Sequence, residues 1–270
     1  MLWIRLPFVR PEARPALRAE AQHRACRRVC RILNLTIRHQ VVPPAGPALI
    51  VSNHMGILDS FILASVFHIS FVGKADLASA PVIGWICRTV GLVAVEREQR
   101  MAASKFVGRV RERLTDGVSV LVFPEGTTSD GAAVRPFKTS VFEAITGVSG
   151  AAVQPVCITI ASVEGRPGSR ADEARFSWAD PSVSLGQHTW RVFGFREAVV
   201  DVLFGDAFPA ESGDRRSLAL RAHEVVTKLR RMSAPGLASP EREPAEAVAG
   251  IHGGEMELSP DDMPGLSTTP

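Results

Sequence analysis

Asn53, His54 and Asp59 fall in one short window, Ala48 to Ile62 (ALIVSNHMGILDSFI), where an apolar run meets a glycine and a second apolar run begins. Histidine is the side chain whose ordinary titration range suits proton transfer near neutral pH. A carboxylate that bonds one imidazole nitrogen leaves the other free to take a proton. Inside one unbroken helix the spacing of His54 and Asp59 would turn them about 140° apart. The pair therefore needs His54 in a strand-to-helix turn and Asp59 in the first helical turn. A lone His or Asp near a helix start is more often a cap or a surface residue, so the spacing alone does not make a catalytic pair.

A second stretch, Val118 to Gly131 (VSVLVFPEGTTSDG), is an apolar strand that ends abruptly in Pro124, Glu125, Gly126, Thr127, Thr128 and Ser129. Such a break gathers backbone N–H groups and hydroxyl donors in a small space, which suits an anion or a developing oxyanion. A plain polar turn is the alternative.

Taken together, N-H-x-x-x-x-D (Asn53, His54, Asp59) followed by F-P-E-G-T (Phe123 to Thr127) resembles the glycerolipid acyltransferases that act on glycerol-3-phosphate and 1-acylglycerol-3-phosphate. Gly91 to Arg97 (GLVAVER) is similar to that family's strand ending in a phosphate-binding Arg, and Val153 to Ile158 (VQPVCI) to its short Pro-containing strand. Phe137 and Lys138 also fit, so the resemblance runs over residues 48 to 160. Two positions depart from it: Gly56, where the family often has Ser, and Thr128, where it often has Arg and hence a positive charge near the anion site.

The resemblance implies direct transfer of a fatty acyl group from a thioester to the sn-2 hydroxyl of 1-acylglycerol-3-phosphate, giving phosphatidic acid in membrane phospholipid synthesis. A lyso-ornithine lipid or another lysophospholipid is the alternative acceptor. It implies His54 as base and Asp59 as its orienter, with the amides near Gly126 and the ammonium of Lys74 toward the oxyanion and acyl donor. Arg97, Glu125, Thr127 and Lys138 would bind the acceptor's phosphate. No metal and no cofactor are implied, since acyl-CoA or acyl carrier protein serves as a substrate. No G-x-S-x-G elbow occurs, and Cys87 and Cys157 sit in apolar runs that would raise a thiol pKa, so no acyl-enzyme is expected. Two rival readings are a metal-dependent hydrolase with His54, Asp59 and Glu125 as ligands, and a non-catalytic membrane-surface binding protein.

The elements that must position these residues read as an α/β domain with a mostly parallel central sheet flanked by helices. Ala48 to Ser52, Phe71 to Lys74, Gly91 to Val95 and Val118 to Phe123 read as strands; Met101 to Asp116 and Asp214 to Met232 read as helices. Asp76 to Val90 reads as a broken helix and Phe137 to Thr146 as a helix. Ala151 to Ala161 is a strand whose Pro155 predicts an edge or a bulge. Glu164 to His188 reads as an irregular excursion in which Trp178, Asp180 and Pro181 could wall a substrate, and Ala198 to Phe204 as a last strand.

The net charge of +3 hides a polar chain. Residues 1–39 hold nine Arg against two Glu, and residues 233–270 one Arg against seven acids. Three regions are expected: a basic amphipathic membrane-surface segment, 1–39; the acyltransferase domain, 40–232; and a disordered acidic tail, 233–270. In the first, residues 12–35 read as a helix with Leu17, Ala21, Ala25, Val29 and Ile32 or Leu33 along one side, suited to an anionic membrane surface. Nucleic acid is not expected as a partner, for no aromatic interleaving accompanies the Arg residues. His23, Cys26 and Cys30 share a helical face but lack a fourth ligand, so they are read as packing residues. Cysteine usage suggests a reducing compartment, and no apolar run reaches the roughly twenty residues of a spanning helix. The expected location is the cytoplasmic face of the membrane, peripheral or monotopic.

Overall fold

The structure, a computed structural model, describes residues 14–39, 46–74, 93–95 and 99–233. Its strands are β1 (Leu35–Arg38), β2 (Ala48–Ser52), β3 (Ile69–Lys74), β4 (Val93–Val95), β5 (Ser119–Val122), β6 (Ala152–Val163), β7 (Arg166–Pro167), β8 (Ala198–Phe204) and β9 (Phe208–Pro209). Its α-helices are α1 (Arg14–Ile32), α2 (Leu58–Val66), α3 (Gln99–Thr115), α4 (Arg170–Phe176), α5 (Leu185–Phe193) and α6 (Arg215–Met232).

The fold is α/β. One sheet runs in the order β1-β8-β6-β2-β5-β3-β4, with β7 and β9 paired to β6. From β6 to β4 every neighbouring pair is parallel. β8 runs antiparallel to β6 and carries β1 in parallel on its outer side. The sheet is therefore mixed, with the parallel half expected from the strand and helix rhythm.

β2 is buried at all five positions because helices cover both faces. Ala48 and Ile50 join a cluster with Cys26 and Cys30 of α1, Leu58 and Ile62 of α2, and Phe176 of α4. Leu49 and Val51 face the other way, to Val110 and Leu114 of α3 and Leu218, Ala222 and Val226 of α6. Each such aliphatic side chain contributes roughly 1.5–3 kcal/mol by leaving water. With β2, β5 and β3 parallel, their carboxyl ends lie on one edge of the sheet, where open α/β sheets collect ligands.

Several expectations change. β6 lies between β2 and β8, not at an edge, and its irregularity falls between Ile160 and Ser162. Pro155 is tolerated because β8 ends opposite Val156 and β9 begins opposite Val153, so its missing N–H falls in the gap between the two partners. The helix expected after Phe137 is a short 3-10 helix, Thr139–Ala144. The stretch read as irregular holds α4 and α5, each opened by a capping box, Ser169 with Asp172 and Ser184 with Gln187.

The first helix ends at Ile32, and Leu35–Arg38 turns into β1 beside β8, tied by a two-pronged Arg38–Asp201 ion pair. The buried stripe of α1 is Ala19, Gln22, Cys26 and Cys30, shifted from the one expected, whose residues stand half-exposed or, at Ile32, open. Its Cys26 and Cys30 do pack in the core, and burial pushes their thiols up to about 12 and about 11. The helix expected over Asp76 to Val90 and the tail beyond residue 233 lie outside the described residues.

Candidate active site

β2 leaves the sheet at Asn53, and the side chain of Asn53 takes over where the backbone ladder stops. Its Nδ2 donates to the Ile158 carbonyl at 3.1 Å and its Oδ1 accepts from the Ile158 amide at 2.8 Å, both buried. This amide pair fixes where the chain turns, and so where the next residue stands.

That residue is His54, and its Nδ1 lies 2.8 Å from Oδ2 of Asp59. A carboxylate only accepts, so the proton sits on Nδ1 and the lone pair on Nε2. Oδ2 of Asp59 also accepts the amides of Met55 at 2.6 Å and Gly56 at 2.9 Å. Asp59 thus caps the first turn of α2, whose N-cap position, Ile57, has no capping side chain, and orients the imidazole with the same oxygen. Nε2 of His54 has no partner among the described residues, and the side chain keeps 20% of its surface open to solvent. The other face of the ring stacks on Phe123 with centroids 3.9 Å apart.

Phe123 begins the F-P-E-G-T turn. Pro124 and Gly126 occupy the second and fourth positions of a turn closed by the Gly126 amide on the Phe123 carbonyl at 3.0 Å, with Gly126 at φ 74°. Glu125, buried in this turn, accepts the His54 amide at 2.8 Å and the Arg135 amide at 3.1 Å, one on each oxygen. Burial pushes the Glu125 carboxyl above the ordinary glutamate value, and those two amides partly offset it. The Ser129 amide then donates to the His54 carbonyl at 2.7 Å. The two motifs are therefore one object: Glu125 of the F-P-E-G-T turn and Ser129 just beyond it hold the two backbone polar groups of the histidine.

The remaining expected residues fall as follows. Lys138 lies against Gly126 so closely that a Cβ there would meet its Nζ, and among the described residues no carboxylate pairs with it. Thr127 is exposed, and its amide and hydroxyl have no partner among the described residues. The Gly126 amide, expected to face the oxyanion, is spent inside its own turn, which leaves the amides of Thr127 and Thr128 as the candidates. Glu125, expected to bind the acceptor, has both oxygens engaged by backbone. Lys74 closes β3 on the same edge of the sheet as His54; Arg97, two residues beyond β4, lies outside the described residues. The Thr128 hydroxyl bonds the Trp178 carbonyl at 2.5 Å, and the Trp178 amide donates to the Met55 carbonyl at 2.8 Å, so Trp178 stands beside the turn that carries His54.

Two residues escaped the sequence reading. Arg230 of α6 is buried and donates Nε and a terminal nitrogen to the Gly131 carbonyl at 2.9 and 2.6 Å; it pairs with buried Glu173 at 2.5 Å. His188 of α5 is buried against Gly56. An arginine near a helix end reads as a dipole partner and a histidine in a polar stretch as surface, so neither carried a signal; the S-x-x-D and S-x-x-Q boxes would have announced α4 and α5. Among the described residues no group of three or more His, Cys, Asp or Glu stands close enough to hold a metal ion.

Comparison with known proteins gives consistent matches. The family model described as Acyltransferase matches residues 34–159. A lyso-ornithine lipid O-acyltransferase of Rhizobium meliloti is 36% identical over 187 residues, 66% of this chain and 63% of that protein. Another from Brucella abortus is 34% identical, covering 72% of this chain and 75% of that protein. A 1-acyl-sn-glycerol-3-phosphate acyltransferase of Neisseria gonorrhoeae is 32% identical, covering 66% and 67%. The crystal structure of the 1-acyl-sn-glycerophosphate acyltransferase PlsC from Thermotoga maritima superposes with a TM-score of 0.60 at 19% identity, covering 85% of this chain and 86% of that one, a likeness of fold.

Proposed function

The chain belongs to the acyltransferase family that includes the lyso-ornithine lipid and 1-acylglycerol-3-phosphate enzymes, and from that membership we propose that His54 is the base of an O-acyl transfer to a lysolipid. The observation that carries this is the His54–Asp59 contact at 2.8 Å with Nε2 left over on the partly open side of the ring.

In this reading Nε2 takes the proton of the acceptor hydroxyl as its oxygen attacks the thioester carbonyl. The tetrahedral oxyanion is met by the Thr127 and Thr128 amides. It then collapses, breaking the carbon–sulfur bond, and the departing thiolate takes the proton back from His54. Base catalysis of this kind is worth roughly 10² to 10⁴ in rate. No acyl-enzyme is needed: burial pushes the Cys157 thiol up to about 12, so it is no nucleophile near neutral pH. The acyl donor, acyl-CoA or acyl carrier protein, is a second substrate in this scheme, and neither a metal nor a cofactor takes part in any step.

Two acceptors fit. Lys138, with Lys74 on the same edge and Arg97 after β4, would clamp the phosphate of 1-acylglycerol-3-phosphate, yielding phosphatidic acid. A lyso-ornithine lipid is favoured by Thr128, whose hydroxyl is committed to Trp178 where an Arg would have supplied charge, and by the names of the relatives quoted at 36% and 34% identity. A carboxylate head group asks for fewer cations than a phosphate does. No helix among the described residues is long and apolar enough to cross a membrane. The exposed Arg18, Arg24, Arg27, Arg28 and Arg31 of α1 support a reading in which the enzyme sits peripherally at the cytoplasmic face, on an anionic membrane surface.

The test is a panel of lysolipids offered to the purified chain with one acyl thioester and read by mass spectrometry. Acylated ornithine lipid as the dominant product supports the second acceptor, and phosphatidic acid the first. No lipid product from any member would overturn the assignment.

A further inference from the structure

His188 is wholly buried, yet neither ring nitrogen has a hydrogen-bond partner among the described residues. Native interiors rarely leave such groups unserved, because each forfeits its bonds to water and gains none. The surroundings fix where the ring aims. The Ser184–Gln187 capping box sets the start of α5, and the His188 ring lies parallel to that of Trp178 with centroids 5.7 Å apart. Trp178 is in turn bonded to the Met55 carbonyl. The outcome is that Nε2 of His188 lies 3.0 Å from where a Cβ on Gly56 would stand, and the Phe176 carbonyl closes the same space.

The Gly56 amide in turn bonds Asp59. Oδ2 collects the His54 ring and the amides of Met55 and Gly56, whereas Oδ1 accepts nothing from the described residues. An unserved ring with a donor to give thus stands within reach of the charge of a carboxylate whose Oδ1 no described residue engages. Burial lowers the His188 pKa below the ordinary histidine value while the Asp59 carboxylate raises it, so near pH 7 the ring is neutral and carries one N–H.

We propose that His188 is a positioning residue for the acyl-transfer base: its Nε2–H donates across one water to Oδ1 of Asp59, and this sets how strongly Asp59 holds the His54 imidazole. A donor on Oδ1 draws carboxylate charge away from His54. Without it, Asp59 favours the imidazolium, and a higher pH is needed before Nε2 of His54 is free to act. The charged and titratable groups facing this corner are Asp59 from α2, Glu125 from the turn after β5, and Arg191 from α5 itself. The proposal rests on His54 being the base.

The experiment uses the full chain with ¹⁵N-labelled histidine, alongside His188→Phe, which keeps the ring stacked on Trp178, and His188→Gln, which restores a donor near Nε2. In the Phe variant the His54 ring is expected to titrate at a pH higher by about half a unit, the acidic limb of kcat/KM to move equally, and kcat to fall about tenfold with KM little changed. The Gln variant should recover most of both. A Phe variant with the wild-type titration, or a Gln variant as impaired as Phe, would overturn the proposal. The wild-type spectrum gives a reading that needs no variant to fold: His188 must carry its proton on Nε2, and the Nδ1–H tautomer contradicts the link. If the wild-type chain acylates no lysolipid, the function proposed above fails, while the titration and the tautomer still judge the His188–Asp59 connection.

Discussion

At the scale of single residues, His54 is fixed twice, at its ring by Asp59 and at its backbone by Glu125 and Ser129. A base must sit within a few tenths of an ångström of its proton, and four bonds to one residue supply that constancy. Glu125 does its part at a cost, since burial holds its carboxyl above the ordinary value. The folded chain therefore binds this proton more tightly than the unfolded one. The group's contribution to stability is full below the ordinary glutamate value and falls as pH rises through the folded value. Glu125→Gln removes that slope and one of the two amide bonds. Thermal melts from pH 4 to 7 should show the wild-type advantage shrinking as pH rises, and parallel curves would refute the assignment. The pair His54–Asp59 was legible in the sequence because its spacing is local and its turn is marked by Gly56. Glu125 as a brace was not legible, because its partner amides belong to residues 54 and 135, which only the sheet brings together.

At the scale of elements, the site is a turn after β2 and a turn after β5, with α4, α5 and α6 packed behind them. Arg230 of α6 and Arg170 of α4 converge on the Gly131 carbonyl, and the carboxylate of Glu173 neutralises part of their charge out of water. Arg230→Met leaves Glu173 with the half-exposed Arg170 alone, and breaking a buried pair from one side costs about 3–5 kcal/mol. Urea unfolding should show a loss of that order together with lower acyl transfer, since Gly131 ends the loop that holds His54. A loss under about 1 kcal/mol would mean that the interior of the network is wet. Ser184→Ala, which removes the α5 cap, should cost about 1 kcal/mol and, if His188 acts as proposed, lower activity beyond that. Strands and the long helices α3 and α6 were legible from their periodicity. α4 and α5 were hidden by their brevity and polarity, and β1 by its continuity with the basic helix before it.

At the scale of the whole molecule, one face of α1 enters the core through Cys26 and Cys30, and the arginines stand on the other. A membrane role for this helix and a structural one are therefore compatible. With each basic residue worth about 1 kcal/mol at an anionic surface, replacing Arg27, Arg28 and Arg31 by Gln should weaken vesicle binding roughly a hundredfold at low salt. The melting temperature should hardly change, because all three side chains are exposed. Sedimentation with phosphatidylglycerol vesicles reads the effect, and unchanged binding would remove α1 from the membrane account.

The central claim is that one imidazole, oriented by Asp59, removes the proton of a lipid hydroxyl. Single-turnover acylation by the purified chain and by His54→Ala, at equal thioester and lysolipid concentrations, measures it directly. A fall of at least about a hundredfold with the fold intact is the predicted result. A variant that keeps its rate to within a few-fold would contradict the account.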